Sequence, residues 1–453
     1  MGAIMEQHNI VWFRYDLRLD DNPAFIAATK SSNPLIAVTL FPKKTTIIQG
    51  LPSISDARAN AIYQAIESLH QRLATLGIGL LVIQNIFDIE DKVNPSSIET
   101  VFYNDYPGTE EHKQILAMKA VFDQSTFQES LSYSLIHPDQ LGFSIEETPD
   151  VFTSFRKQVE KTVVVSAPQE YPDVLQDGVR YSLPSIKSLG FEEVLVLIPS
   201  GEEHAIDRLQ YYCIESAKVR TYKETRNGMF DWDDSSKLSM HLSLGTLSPR
   251  RVYATLKEAE AIHGANESTY WLWFELLWRD FFYFTHLKEQ QFFFQPWDFP
   301  VQLTSKQQVL FLAILQGQTG YPLVDANMKE LVKTGWMSNR GRQNVASFFV
   351  HYCKLPWSLG ATMFETYLLD YNVSSNVGNW RYVAGVGNDP RDHRIFNVMK
   401  QGTQYDASTE YIVRWLPQLS ALPIHQRYLV NKLSSSQRST IGYPDPIVGL
   451  PWQ

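Results

Sequence analysis

The sequence predicts an α/β doubly wound parallel-sheet N-terminal domain, a long connector and an all-α C-terminal domain. Three observations carry this. Over the first 136 residues, short apolar runs rich in β-branched residues alternate with helical patterns. Six prolines then punctuate residues 137–204. From about residue 205 to about 430 the apolar spacing is helical throughout. Strand–helix alternation signals a parallel sheet, because parallel neighbours need a crossover that a helix supplies. The expected boundaries are 1–136, 137–204 and 205–453.

The elements follow in order. NIVWFRYD (9–16), PLIAVTLF (34–41), GLLVIQN (79–85) and TVFYND (100–105) read as strands. SDARANAIYQAIESLHQRLATLG (55–77) reads as a helix between the second and third. Ser55 or Asp56 can accept from the free N–H groups of its first turn, and Gly77 can end it. No G-x-G-x-x-G follows the first strand, so the usual dinucleotide fingerprint is absent. In the helical part, 14 of the 30 residues 270–299 are Phe, Trp or Tyr. A large aromatic core is the simple explanation. Yet WLWFELLWRDFF sets Glu275 and Arg279 four apart on one helical face, with Trp278 between them. Charges amid aromatics are costly unless they meet a partner or a polar ligand. A flat ligand with polar edges would suit such a wall.

Composition bounds the function. The chain has 453 residues, 44% hydrophobic and 20% charged, as in soluble globular proteins. No apolar run is long enough for a membrane span, and MGAIMEQHN lacks the features of a secretory leader. Two cysteines, Cys213 and Cys353, make neither a disulfide framework nor a metal site. A reducing, cytoplasmic setting and a monomer are expected. The net charge is −9, but it is uneven: residues 1–200 hold 15 basic and 25 acidic residues, whereas 326–400 hold nine and five. A local basic excess is what a phosphate backbone meets, although the count alone equally describes a mixed surface.

Several motifs carry more. These are WFRYDLRLDDNPAF (12–25), TYKETRNGM (221–229), SSKLSMHLSLGTLSPR (235–250), FELLWRDFF (274–282) and TGYPLVDANMKELVKTGWMSNRGRQNVASF (319–348). Together they resemble the photolyase and cryptochrome family over nearly the whole chain. WMSNRGRQNV and GNWRYVAGVGNDPRDHRIFN are similar to the DASH type in particular.

The resemblance implies FAD, folded inside the helical domain. Tyr222 and the segment Ser235, Ser236, Lys237, Leu238 and Ser239 match the family's diphosphate cradle, where hydroxyls, main-chain N–H groups and a lysine meet the phosphates. Arg279 joins the cofactor wall. Arg342 and Asp370 match an ion pair beside the isoalloxazine, and Asn376 the residue facing its N5. LLDYNVSSNVGNWRYVAGVGNDP (368–390) is rich in amides and glycines. The amides would line a flavin edge, and the glycines would allow close backbone approach. The family usually carries a second Asp where this chain has Asn372. Its carbonyl could accept the flavin N3–H, and without a charge the reduction potential should be higher.

The resemblance also implies a relay of three tryptophans. Trp380 and Trp357 match the inner and middle members, but the outer position is Thr304, with Trp297 or a tyrosine as a substitute. Glu275, Trp278, Asn339 and Arg340 match residues at the substrate cavity. Gln343 and Tyr382 follow the DASH form, where dimer photolyases of duplex DNA often carry Met and Trp. Glu111 lies where the family has a folate-contacting Glu, which implies a methenyltetrahydrofolate antenna. The expected activity is blue or near-ultraviolet, FAD-dependent repair of cyclobutane pyrimidine dimers, chiefly in single-stranded or looped DNA. The alternative is a blue-light photoreceptor that signals through flavin redox state. A flavin oxidoreductase would want a nicotinamide site, for which there is no motif.

Overall fold

The computed structural model describes residues 7–172, 176, 178–295, 301–387 and 395–451. Five strands form one parallel sheet: β1 (His8–Phe13), β2 (Leu35–Leu40), β3 (Gly79–Ile83), β4 (Ile98–Asp105) and β5 (Thr126–Leu131). Their order is β3-β2-β1-β4-β5, and every pair is parallel. In register, Ile10 of β1 lies between Ile36 of β2 and Val101 of β4. The order reverses between β1 and β4, so the loops after these two strands open a crevice at the carboxyl edge. Four strands lie within or beside the apolar runs expected to form them. The edge strand β5, TFQESL, has no buried residue and was not legible from hydropathy. Backbone pairing with β4 holds it, and that pairing leaves no apolar signature.

Helices α1 (Pro23–Ala28), α2 (Asp56–Thr75) and α3 (Thr109–Val121) accompany the sheet. Ser55 caps α2: its Oγ accepts from the Arg58 N–H at 3.2 Å. The segment 137–204 holds a helix of its own, α4 (Phe152–Thr162), whose Phe152, Phe155 and Val159 are buried. The C-terminal part is helical: α5 (Glu202–Gln210), α6 (Tyr222–Thr225), α7 (Ser239–Leu244), α8 (Pro249–His263), α9 (Glu267–Glu289), α10 (Ser305–Leu315), α11 (Pro322–Thr334), α12 (Asn339–Ser347), α13 (Trp357–Tyr367), α14 (Val373–Ala384) and shorter helices to Thr440. Helix α9 is central. A Cβ on Gly378 of α14 would come within 2.3 Å of the Phe282 ring of α9. Glycine there lets the two helices close, so this glycine serves helix packing, not ligand approach. No helix among the described residues is long and apolar enough to cross a membrane.

A polar joint binds sheet to helices. After β1, Asp21 is fully buried and adopts φ 50°. Its carboxylate accepts from Arg250 Nε and Nη2, both at 2.9 Å, from the Gln169 N–H at 2.8 Å, and from the Ser248 hydroxyl. Next to it, Asp20 takes Arg251 Nε and Nη2 at 2.9 and 2.6 Å. Glu202 accepts from the N–H groups of Leu19 and Asp20, both at 2.9 Å. Removing one member of a buried pair strands the other charge. Asp21→Ala is therefore expected to destabilise the fold by about 3–5 kcal/mol. Chemical denaturation measures this, and a loss below about 1 kcal/mol, the scale of a surface pair, would contradict it.

Candidate cofactor and substrate cavities

The first cavity, about 1170 Å³ with the part open to solvent, lies between α6, α7, α9, α12 and the start of α14. Tyr222, Ser235, Ser236, Lys237, Leu238 and Ser239 line one end of it. Arg208 of α5 shapes that end: its Nε donates to the Ser236 carbonyl at 2.9 Å and its Nη2 to that of Ser235 at 3.1 Å. Sequence reading missed Arg208, because it acts across 27 residues through backbone oxygens, which no motif records. Lys237 takes φ 58° and donates to Ser235 Oγ at 3.0 Å. It lies over the Trp336 ring at 4.5 Å. Burial, reinforced by Arg208, pushes its ammonium down to about 8.

At the other end lie Arg279, Arg342, Asp370 and Asn372. Arg342 Nη2 donates to Asp370 Oδ2 at 2.9 Å and its Nε to the Met337 carbonyl at 2.9 Å. Asp370 Oδ1 is buried without a protein partner. A smaller adjoining cavity is lined by Asn376 together with Arg342, Asp370 and Asn372. Asn376 Nδ2 donates to the Ala361 carbonyl at 2.9 Å, which leaves the amide oxygen for the cavity. Asn372 is held by Tyr106 and Tyr133 of the α/β domain, at 2.9 and 2.6 Å.

A second, more open cavity of about 1370 Å³ abuts the first. Glu275, Arg279 and Asn339 line both. Trp278, Gln343 and Tyr382 line the second alone or with the small cavity. The Trp278 ring stacks on Phe152 of α4 at 3.7 Å and 11°, and Tyr382 meets it edge-on at 5.8 Å. Glu275 does not pair with Arg279. Its ion partner is Arg226, while Arg279 donates to the Tyr133 carbonyl at 2.6 Å and lies over the Tyr133 ring at 4.0 Å. Sequence spacing shows which residues share a helical face. It does not show that a loop 49 residues away brings a competing arginine. Burial raises the Glu275 carboxyl and Arg226 opposes this. Arg340 backs this wall: its Nη1 donates to Gln343 Oε1 at 3.0 Å, its Nη2 to Asn227 at 2.9 Å, and its guanidinium lies over Tyr405 at 4.6 Å.

Trp380 is buried between Phe349 and Phe364, at ring distances of 5.5 and 5.0 Å. Trp357 is buried at the start of α13. Thr304 caps α10, accepting from the Gln307 N–H at 3.3 Å. Trp297 lies outside the described residues. A third cavity, about 940 Å³, sits at the carboxyl edge of β1 and β2 and includes Arg14, Tyr15, Arg58, Gln114, Glu365 and Tyr371. Glu111 is buried beside that wall, and its backbone carbonyl accepts Arg14 Nη2 at 2.7 Å. Burial raises the Glu111 carboxyl.

A dinucleotide carrying a flavin fits the first cavity. Serine hydroxyls and Lys237 suit a diphosphate at one end, and the orphaned Asp370 Oδ1 beside Arg342 suits the polar edge of a ring at the other. Lys237 is charged below about 8 and neutral above it. Association of FAD with the apoprotein should therefore weaken as pH rises from neutrality through that value. Lys237→Met should abolish this dependence and cost roughly tenfold to a hundredfold in affinity near neutral pH, the worth of a hydrogen bond to a charged group. Fluorescence titration across pH reads both, and an unchanged pH profile in the variant would refute the assignment.

Comparison with known proteins agrees with this geometry. Residues 271–451 match the family described as the FAD binding domain of DNA photolyase, and residues 9–173 the family described as DNA photolyase. The chain is 40% identical to a cryptochrome DASH of Synechocystis sp., over 97% of this chain and 95% of that one. It is 38% identical to a cryptochrome DASH of Danio rerio, over 98% and 90%. The crystal structure of a Synechocystis cryptochrome superposes with a TM-score of 0.89 at 36% identity, covering 98% of this chain and 96% of that one. A bacterial class III photolyase from Agrobacterium tumefaciens follows at 0.82 and 26%, covering 99% and 96%. A parallel-sheet domain, a helical domain with a dinucleotide-sized cavity, and near-full-length similarity at this level place the chain in the photolyase and cryptochrome family, with the DASH type.

Proposed function

We propose that this protein repairs cyclobutane pyrimidine dimers in a light-driven reaction, chiefly in single-stranded or looped DNA. The observation that carries the reading is the shared wall: Glu275, Arg279 and Asn339 line both the dinucleotide-sized cavity and the open aromatic one. A lesion in the second would lie against a cofactor in the first. Bound there, reduced FAD would supply, on absorbing blue or near-ultraviolet light, an electron that opens the cyclobutane ring and then returns to the flavin.

The chain's own residues bind and orient. Trp278, braced from behind by Phe152, presents a rigid aromatic surface on which a base can stack. Glu275 hydrogen-bonds the pyrimidine edge: protonated it donates to a carbonyl, and ionised it accepts from N3–H. Burial favours its protonated form. Asn339 offers an amide on the same wall. A tyrosine at 382 offers less stacking than a tryptophan would. Less energy is then available to offset extrusion from a duplex, whereas an unpaired strand demands little. An antenna pigment of the folate class suits the third cavity, beside which Glu111 holds Arg14 through its carbonyl. The setting is a monomer in the cytoplasm.

Signalling through flavin state is the second reading, and the relatives named cryptochrome favour it. One experiment separates the two: illumination of purified protein with dimer-containing oligo(dT), single-stranded and annealed. Loss of dimer, faster on the single strand, supports repair; intact dimers with a photoresponsive flavin leave signalling. Trp278→Ala should weaken binding of the single-stranded lesion by roughly 1–3 kcal/mol, the worth of one stacked base. Tyr382→Trp should narrow the gap between duplex and single strand, and an unaltered ratio of rates would refute the role given to Tyr382.

A further inference from the structure

Asn372 sits on the wall of the cofactor cavities with its amide already committed. It is the N-cap of α14, and its Oδ1 accepts from the Ser375 N–H at 3.1 Å. Only an oxygen can fill that role, so the backbone itself determines which way the amide faces. The Tyr133 hydroxyl donates to the same oxygen at 2.6 Å. An amide carbonyl has two lone pairs, and both are taken. On the other side, Nδ2 donates to the Tyr106 hydroxyl at 2.9 Å. One Nδ2 hydrogen remains, on a residue that lines both inner cavities.

We infer that Asn372 meets the bound flavin as a hydrogen-bond donor, positioned by Tyr106 and Tyr133. The carbonyl expected to accept from flavin N3–H is already saturated. The complementary acceptor on the ligand is a carbonyl oxygen of the isoalloxazine's pyrimidine edge. An aspartate at this position could only accept. A donor stabilises negative charge on that edge, so the reduced cofactor is favoured. The two tyrosines are positioning residues. Both are buried, their rings are 4.9 Å apart at 89°, and Arg279 covers the Tyr133 ring. Their hydroxyls are thus placed by packing before any ligand arrives, and they come from the α/β domain, not the helical one.

This inference rests on the FAD reading, and the test separates the two. Infrared spectra of the flavin carbonyl stretches and midpoint potentials are recorded for the holoprotein and for Asn372→Asp, Tyr106→Phe, Tyr133→Phe and Tyr283→Phe. Aspartate keeps the size and the capping oxygen. Asn372→Asp should move a carbonyl band to higher frequency and make the potential more negative. Tyr106→Phe and Tyr133→Phe should shift both in the same direction by less. Tyr283, whose ring packs at 4.6 Å on Tyr133 but makes no bond to Asn372, should shift neither. Wild-type protein without flavin absorbance would sink the FAD reading and this one with it. Flavin retained with an unmoved or lowered band in Asn372→Asp would overturn the donor assignment alone. Tyrosine variants that read like wild type would overturn the positioning role.

Discussion

The fold depends on one buried carboxylate. Asp21 leaves the end of β1 and is satisfied on both oxygens by Arg250, Ser248 and the backbone of Gln169. Burying that charge is worthwhile only because every lone pair finds a donor. The consequence is geometric. Ser248 and Arg250 begin α8, and the turn before them, at Gly245, packs on the strand loop so closely that a Cβ would come within 1.9 Å of the Tyr15 carbonyl. Helix α7, which follows the serine and lysine cradle, is thereby tied to the sheet. The position of the phosphate end of the cavity is set by a loop of the other domain.

The same coupling recurs at the ring end. Asp280 of α9 accepts the N–H groups of Leu135 and Ile136 at 3.0 and 2.9 Å, and burial pushes its carboxyl up to about 6. Arg279 beside it holds the Tyr133 backbone. These contacts bring a segment of the α/β domain against the start of α14, where Tyr133 and Tyr106 orient an amide. At this end the cavity is polar, but several of its polar groups are spent on other parts of the protein. What stays open, Asp370 Oδ1 and single hydrogens or lone pairs on two asparagines, forms a sparse and directional pattern. Such a pattern would suit a ring edge, because each remaining group can be satisfied only from one direction.

The open cavity works by a different physics. Its wall is aromatic, and its rigidity comes from layers. Phe152 of the connector helix backs Trp278, Phe281 and Phe282 surround it, and Gly378 lets α14 close against α9. A stacking platform costs little entropy when its ring is already immobilised. Arg226 pairs with Glu275 at the rim, where burial raises the Glu275 carboxyl and the arginine opposes that rise.

The sequence by itself determined the alternation of strands and helices, a cap at Ser55 or Asp56, the aromatic density of α9 and, through long motifs, the family and many of the cavity residues. These are local facts: periodicity, capping and motif are written in neighbouring residues. Tertiary structure decided the rest. β5 pairs through its backbone and shows no apolar face. Arg208 and Arg226 reach their partners across tens of residues. Arg340, inside a cavity motif, bonds both Gln343 and Asn227, and Glu111 is buried near Tyr15. Which hydrogen-bonding atom of Asn372 stays open depends on two tyrosines more than 230 residues away in the chain. Hydrogen bonds are short-ranged and directional, so their assignment follows from where the folded chain places each donor, and no spacing rule along the sequence can supply that.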